Sequence, residues 1–172
     1  MARYKNIKKA ACEWLGGISE YKAFATLTFK QARLASSGVL VKVTRDAIDE
    51  TCCEVQRRVL KLIKKQGYAL DDIAWITTIE DGHGEKRLHA HMAISLPSGM
   101  EFEEFAECFN RIVQRMEWCR PIFEIKQVKQ EEGAVQNQRI INYMLKEGLD
   151  SLSVNAFVSP KTMNNHILAR KL

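Results

Sequence analysis

Two histidines and a glutamate are the residues of this sequence whose types and spacing first suggest chemistry. His89 and His91 lie in Leu88–Leu96, which has the pattern of a β-strand. Side chains alternate between the two faces of a strand, so both imidazoles project from one face. Glu80 ends the preceding predicted strand, and a hairpin loop over residues 81–87 can bring its carboxylate beside them. Two imidazoles and a carboxylate form a site for a divalent cation, although ordinary surface histidines give the same pattern.

A tyrosine and a lysine form the second feature. Tyr143 and Lys146 are three residues apart in Asn142–Gly148, and on a helix they share a face. A phenol has a pKa of about 10, so it becomes a nucleophile only with help from a nearby ammonium or a metal-bound phosphate. The alternative is a half-buried tyrosine beside a solvated lysine.

The elements that must position these residues follow from hydrophobic periodicity and from turn and capping residues. Thr44 is the predicted N-cap of the first helix and Gly67 the residue that ends it, while a capping box over Ser98–Glu101 opens the second helix. The predicted elements are strand Tyr21–Lys30, helix Thr44–Gln66, strand Ile73–Glu80, strand Leu88–Leu96, a helix with the apolar stripe Phe102, Phe105, Phe109, Ile112, Val113 and Met116, strand Pro121–Val128, and helix Ala134–Glu147 ended by Gly148.

The first six elements match the split β-α-β-β-α-β plan of ferredoxin-like and RRM-like proteins. The sequence therefore predicts an α+β fold, an antiparallel sheet with helices on one face. The other face is left free to meet a ligand or the last helix, which carries Tyr143.

Composition restricts the class of protein. The chain has 172 residues, a net charge of +5 and a pI of about 9.0, which favour a single globular domain with a polyanionic partner. The basic N-terminus is followed by no apolar segment, and no apolar run could span a bilayer. The five cysteines have no Cys-x-x-Cys spacing, so free thiols in a reducing compartment are expected.

Three segments, taken in order, resemble motifs I, II and III of the HUH endonucleases. They are Phe24–Lys30 (Phe-Ala-Thr-Leu-Thr-Phe-Lys), the His89-Ala-His91 strand, and Tyr143–Gly148 (Tyr-Met-Leu-Lys-Glu-Gly). The resemblance is greatest to the small rolling-circle replication initiators, or Rep proteins, of single-stranded DNA viruses and plasmids. Ala90 is smaller than the hydrophobic residue usual between the histidines, and a single tyrosine occupies motif III.

The resemblance implies a role for each matched residue. His89, His91 and Glu80 would bind Mg²⁺ or Mn²⁺, and Tyr143 would attack the scissile phosphodiester to leave a 5′-phosphotyrosine and a free 3′-hydroxyl. Lys146 would orient the phosphate or help to activate the phenol. The residues expected to contact DNA are Thr26, Thr28, Lys30, Arg33 and Arg87, with Lys161, Arg170 and Lys171 in the tail.

The resemblance also predicts organisation and partners. Residues 1–148 would form the nicking and joining domain, and residues 149–172 a basic extension that is docked or partly disordered. The substrate would be single-stranded origin DNA, with or without a stem-loop. The helicase domain of many viral Reps is absent, so a separate helicase and polymerase from the host are expected. The compartment would be the cytoplasm, or the nucleus of a eukaryotic host, without membrane association.

Two alternatives remain open from the sequence. A single-tyrosine transposase or a relaxase would use the same chemistry, although relaxases usually carry three histidines and an N-terminal tyrosine. A non-catalytic binder with an RRM-like sheet would instead stack bases on exposed aromatic side chains.

Overall fold

A computed structural model describes residues 2–80, 87–121, 123–129, 133–153 and 157–158. Residues 81–86 of the predicted hairpin loop (residues 81–87) and the basic tail residues Lys161, Arg170 and Lys171 lie outside these ranges. The helices are α1 (Ala2–Ile18), α2 (Arg45–Lys65), α3 (Phe102–Val113) and α4 (Gly133–Met144), and a 3-10 helix covers Leu149–Ser151. The strands are β1 (Ala23–Thr28), β2 (Ala32–Leu34), β3 (Leu40–Lys42), β4 (Ala74–Glu80), β5 (His89–Ile94), β6 (Glu124–Gln127) and β7 (Phe157–Val158).

The fold class predicted from the sequence is confirmed. Five strands form an antiparallel sheet in the order β6-β1-β5-β4-β7, and β2 pairs with β3 in a separate hairpin. Without β7, this order is that of the split β-α-β-β-α-β plan, in which the first strand lies between the third and the fourth. The β1–β5 and β5–β4 pairs are therefore central, which places the predicted histidine strand in the middle of the sheet.

One face of the sheet, called here the core face, packs against α2 and α3. Its buried side chains include Leu27, Trp75 and Met92, which meet Val55 of α2 and Phe109 of α3. The helices begin and end for local reasons. The Thr44 hydroxyl accepts a hydrogen bond from the Ala47 backbone N–H, as its predicted role as N-cap requires, and Gly67 follows the helix with a positive φ of 98°.

The opposite face, called here the site face, is partly covered by α1 and α4. Leu15 of α1 and Ile141 and Met144 of α4 pack on Ile76 and Ala93 of the sheet. The Asn137 side chain fastens α4 to the entry of β1, because it accepts a hydrogen bond from the Tyr21 N–H and donates one to the Ser19 carbonyl. The two helices cover the Ala74 end of β4, while at the Glu80 end the neighbouring His89 is only half-buried.

Three local predictions need correction. The Ser98–Glu101 capping box is wrong: α3 begins at Phe102 after Glu101, whose side chain makes no capping hydrogen bond, and Gly99 turns the chain with a φ of 79°. Helix α4 ends at Met144 rather than Glu147, so Lys146 lies in the turn that follows. The predicted strand Pro121–Val128 is shorter, Glu124–Gln127.

Four features of the structure were not predicted as helix or strand. These are helix α1, the short β2–β3 hairpin, the 3-10 helix Leu149–Ser151 and strand β7, which pairs with the edge of β4. The N-terminus was considered only as a possible targeting signal, although its apolar residues Cys12, Leu15 and Ile18 are buried on the site face. No helix in the described ranges is long and apolar enough to cross a membrane.

Candidate active site

Strand register places the predicted metal ligands side by side. In the central pairs of the sheet Glu80 lies opposite His89, and His91 lies between Thr78 and Thr26. Paired residues of an antiparallel sheet point to the same face, so these side chains share the site face with Thr26. The neighbouring residues Ile79, Ala90 and Met92 belong to the core on the other side, and this alternation confirms that both imidazoles project from one face.

The Glu80 carboxylate lies between the two imidazoles. Its Oε2 is 2.8 Å from Nε2 of His89, and its Oε1 is 3.2 Å from Nε2 of His91. One potential ligand atom from each of the three residues lies within 4.8 Å of the others. Glu80 and His91 are buried and His89 is half-buried. This donor set suits a divalent transition metal such as manganese, since it combines imidazole nitrogens with a carboxylate.

The contact of Nδ1 of His89 determines whether its Nε2 carries a proton. Nδ1 lies 2.9 Å from the Arg87 carbonyl oxygen, which can only accept, so Nδ1 carries the proton. In a neutral ring, Nε2 then presents a lone pair toward the Glu80 carboxylate 2.8 Å away. Two lone pairs at this distance repel unless a proton or a metal ion stands between them. The geometry of His89 therefore fits a cation at this position, with the backbone carbonyl orienting the ligand.

His91 is arranged in a similar way. Its Nδ1 is 3.0 Å from the Thr26 hydroxyl, while its buried Nε2, although 3.2 Å from Glu80 Oε1, makes no well-aligned hydrogen bond among the described residues. Burial lowers the pKa of His91 to about 4; the carboxylate of Glu80 opposes this shift, and the charges of His89 and Lys146 reinforce it. A neutral imidazole with an unsatisfied Nε2 is the form that ligates a metal.

Lys146 connects these three residues to Tyr143. Its Nζ is 2.8 Å from Oε1 of Glu80 and 4.3 Å from the centre of the Tyr143 ring. Burial would raise the pKa of Glu80, but the pairing with Lys146 and the nearby histidines outweighs it and lowers the pKa, so the carboxylate stays ionised. The same pairing raises the pKa of Lys146, which therefore remains an ammonium at neutral pH.

Tyr143 lies in the last turn of α4, directly against the His91 imidazole. Its ring centre is 5.1 Å from that of His91 in an edge-to-face arrangement, and the residue is 47% exposed. The turn after α4 replaces the predicted helical spacing, but it still brings Lys146 over the tyrosine ring, and the Lys146 N–H bonds to the Tyr143 carbonyl. An exposed phenol beside an ammonium and three candidate metal ligands is accessible to a large substrate.

Phe24 was not selected from the sequence, although it contacts both halves of the site. Its ring stacks on His91 with an interplanar angle of 17° and meets Tyr143 edge-on at 6.2 Å. The signal was available, because Phe24 lies two residues before Thr26 on the same face of β1. A phenylalanine in a strand is usually assigned to the core, and only the sheet register distinguishes the two faces here.

The residues predicted to contact DNA fall into two groups. Thr26, Thr28, Lys30 and Arg87 lie at or beside the Glu80 end of the site face, with Thr28 opposite His89. Arg33 instead forms an ion pair with Glu117 and lies 4.9 Å over the Trp118 ring, away from the three ligands. The role of every residue in this set stays a prediction.

Comparisons with known proteins give little beyond this geometry. No protein-family model matches the chain, and no curated protein matches it. Among solved structures, the chain is similar to the N-terminal nuclease domain of the non-structural protein 1 of minute virus of mice, with 12% identity and a TM-score of 0.36 over 77% of this chain and 67% of that one. That domain is described as having an unusual Zn²⁺ coordination in its active-site pocket and a novel mode of DNA recognition at the replication origin. A TM-score this low supports no functional inference.

Proposed function

We propose that the protein is a metal-dependent endonuclease of the HUH type that nicks single-stranded DNA through a covalent tyrosine intermediate. One observation carries the proposal: the Tyr143 ring lies 5.1 Å from His91, and Lys146 joins Tyr143 to Glu80. A nucleophile, a cation and a set of metal ligands therefore meet on one exposed surface. The order of the three motifs that resemble those of Rep proteins supports the same function.

Glu80, His89 and His91 would hold the divalent ion, which we propose to be Mn²⁺ or Mg²⁺. A metal bound there would act as a Lewis acid toward a phosphoryl oxygen. The protein contributes the orientation of the ligands. The Arg87 carbonyl holds His89, the Thr26 hydroxyl holds His91, and Lys146 compensates the charge of Glu80.

Tyr143 would supply the nucleophile. Its phenolic oxygen forms a bond to phosphorus while the bond from phosphorus to the 3′-oxygen breaks, so the strand on the 3′ side of the cut remains attached to the protein through its 5′-phosphate. The phenol proton is released to water, and the departing 3′-oxygen takes up a proton to become a hydroxyl. Lys146 is an ammonium rather than a base, and its charge over the ring stabilises the developing phenolate.

The cellular role that follows is nicking of a replication origin to start rolling-circle replication. The free 3′-hydroxyl would prime synthesis, and the tyrosine adduct would preserve the energy of the phosphodiester for rejoining. Strand separation and synthesis would depend on a separate helicase and polymerase. A single-tyrosine transposase would make the same adduct but would transfer it between two DNA ends.

A covalent-trapping experiment tests the proposal. The protein is incubated with Mn²⁺ and a pool of single-stranded oligonucleotides that carry a stem-loop with a randomised loop, then resolved under denaturing conditions. We expect a shifted band that requires metal, and peptide mapping should locate the attached nucleotide on Tyr143. Tyr143→Phe should lose the band because it lacks the phenolic oxygen.

Tyr68→Phe is the matched control. Tyr68 donates a hydrogen bond to Glu104 of α3, on the core-face side of the sheet, so this variant should keep the adduct. If wild type forms no metal-dependent adduct with any member of the pool, or if Tyr143→Phe forms it at the wild-type level, the proposed nucleophile is wrong. A protein that only binds nucleic acid would shift native gels and give no denaturation-resistant band.

A further inference from the structure

Three basic side chains meet at the open end of the site face, around a cavity of about 320 Å³. The cavity is lined by Phe29, Lys30, Gln31, Ala32, Arg87 and Arg120. Lys30 and Arg87 were predicted separately as DNA contacts because they lie near the motifs, whereas Arg120 carried no prediction. Register explains why the three converge.

Arg120 reaches the site face through an isolated bridge beside β1. Phe29 pairs with Cys119 in this bridge, and the Arg120 N–H bonds to the Thr28 carbonyl. Phe29 and Cys119 are both buried in the core-face cluster. Alternation along the chain therefore turns Arg120 to the side that Thr28 occupies. Thr28 in turn lies opposite His89, so Arg120, Thr28, His89 and Glu80 form one row across the sheet.

Lys30 and Arg87 extend this row toward the open end. The β1–β5 register, in which Thr28 pairs with His89, continues to Lys30 and Arg87, and the Phe29 N–H bonds to the Leu88 carbonyl between them. Arg87 is also the residue whose carbonyl holds His89. The cavity is therefore directly adjacent to the metal ligands on the sheet.

Among the described residues, no carboxylate lines the cavity. The described carboxylates Glu117, Glu124 and Glu80 form ion pairs elsewhere: Glu117 with Arg33, Glu124 with Lys126, and Glu80 with Lys146. The Lys30 ammonium donates to the Glu117 carbonyl at 2.6 Å, which orients it without neutralising it. Three cations around a concave site whose described lining has no carboxylate select a ligand with negative charge.

From this geometry we infer that Lys30, Arg87 and Arg120 form a subsite for the backbone phosphates of single-stranded DNA next to the phosphate that is cut. The inference rests on the proposed function, which supplies single-stranded DNA as the ligand. It also gives the direction in which the bound DNA runs away from Glu80, His89 and His91. Arginine guanidiniums bind phosphate oxygens through two parallel hydrogen bonds, so they can fix the strand as well as attract it. Thr28 lies between this subsite and His89, which places the bound phosphates in line with the reacting one.

Equilibrium binding tests the subsite independently of cleavage. Fluorescence anisotropy with a labelled single-stranded oligonucleotide is measured in EDTA, so that no adduct forms, over a series of salt concentrations. Arg120→Gln and Arg87→Gln should each weaken binding by about fivefold and reduce the slope of log K against log salt by about 0.7, the value for one phosphate contact to a single strand. The double variant should lose about 1.4 of that slope.

Arg111→Gln is the matched control, since Arg111 is an exposed arginine of α3, whose apolar side packs on the core face. It should leave both the affinity and the slope near the wild-type values. In the trapping assay with Mn²⁺, Arg120→Gln should raise KM with little change in kcat, because the contact is made before and during the reaction.

The two proposals fail in different ways. If Arg120→Gln and Arg87→Gln bind with the affinity and salt slope of Arg111→Gln, the subsite is refuted, whether or not wild type forms the adduct. If wild type forms no adduct but its binding depends on Arg120 with the expected slope, the subsite stands and the nuclease function fails.

Discussion

Both faces of the central strands contain buried side chains, and the two sets have opposite chemistry. Trp75 on the core face and Phe109 of α3 packed against it are 0% exposed, while Glu80 and His91 on the site face are 3% exposed. Apolar burial on the core face stabilises the fold at about 25 cal/mol per Å². Burial of a carboxylate and a neutral imidazole opposes folding unless both gain partners. The core face therefore maintains the structure, and the site face uses that stability to hold polar groups where water would otherwise solvate them.

The largest expected effect comes from weakening the core face. Phe109 packs against Trp75, Phe105 and Phe123, so Phe109→Ala should reduce the free energy of unfolding by about 3–5 kcal/mol, measured by urea denaturation in EDTA. Phe109→Leu retains most of the volume and should lose about 1.5 kcal/mol or less. Equal losses in the two variants, or a loss below about 1 kcal/mol in Phe109→Ala, would contradict the assignment of stability to this face.

A smaller effect is expected from removing the central ligand of the site face. Wild type in Mn²⁺ at about 100 times its dissociation constant should gain about 2.7 kcal/mol of stability over its value in EDTA. Glu80→Gln keeps the shape of the side chain but removes the charge between the imidazoles, so this gain should disappear. The measurement is a pair of urea denaturation curves, with and without the metal.

Glu107→Gln is the control for this comparison. Glu107 is an exposed carboxylate of α3, and its replacement should keep the full metal-dependent gain. If Glu80→Gln is stabilised by Mn²⁺ as much as wild type is, the metal binds elsewhere, and the buried carboxylate serves only the ion pair with Lys146.

The difference between the faces also explains what the sequence could predict. The core face is encoded by local periodicity, as in Ile48, Val55 and Val59 of α2, so the elements that build it were found with small errors at their ends. Glu80, His89 and His91 were found because the period of a strand and one hairpin are enough to bring them together. His89 and His91 share a face because they are two residues apart in one strand, and this spacing can be read directly from the sequence.

Long-range contacts account for what was missed. Helix α1 has a basic exposed side. Its apolar residues are buried because α4 packs beside it, and Asn137 of α4, more than 100 residues away, fastens α4 to the residues that follow α1. Arg120 joins the site face through a bridge to Phe29. The turn at the end of α4 also depends on a distant residue. Gly148 has a φ of 121° and lies so close to the Tyr4 hydroxyl that a Cβ atom would be 2.9 Å from it. No window of neighbouring residues contains these contacts.

The smallest expected effect sharpens the comparison by changing a single hydroxyl on the site face. The Thr26 hydroxyl is 3.0 Å from Nδ1 of His91, and if it accepts the Nδ1 proton, it keeps the lone pair of Nε2 directed at the ion. Thr26→Val has nearly the same shape and removes this partner. We expect metal affinity to fall by about 10- to 100-fold, the usual consequence of losing a group that orients a histidine ligand. Titration calorimetry with Mn²⁺ measures it.

The control for Thr26 is the next threonine on the same face of β1. Thr28 lies opposite His89, and its hydroxyl has no hydrogen bond within the described ranges, so Thr28→Val should bind the metal as wild type does. Thr26→Ser keeps the hydroxyl and should restore most of the affinity. If Thr26→Val and Thr28→Val bind equally well, the hydroxyl does not orient His91, and the burial of the ring against Phe24 is sufficient to hold it. If both valine variants lose affinity, the general polarity of the site face of β1 is what matters, because the loss of one oriented lone pair would follow from Thr26→Val alone.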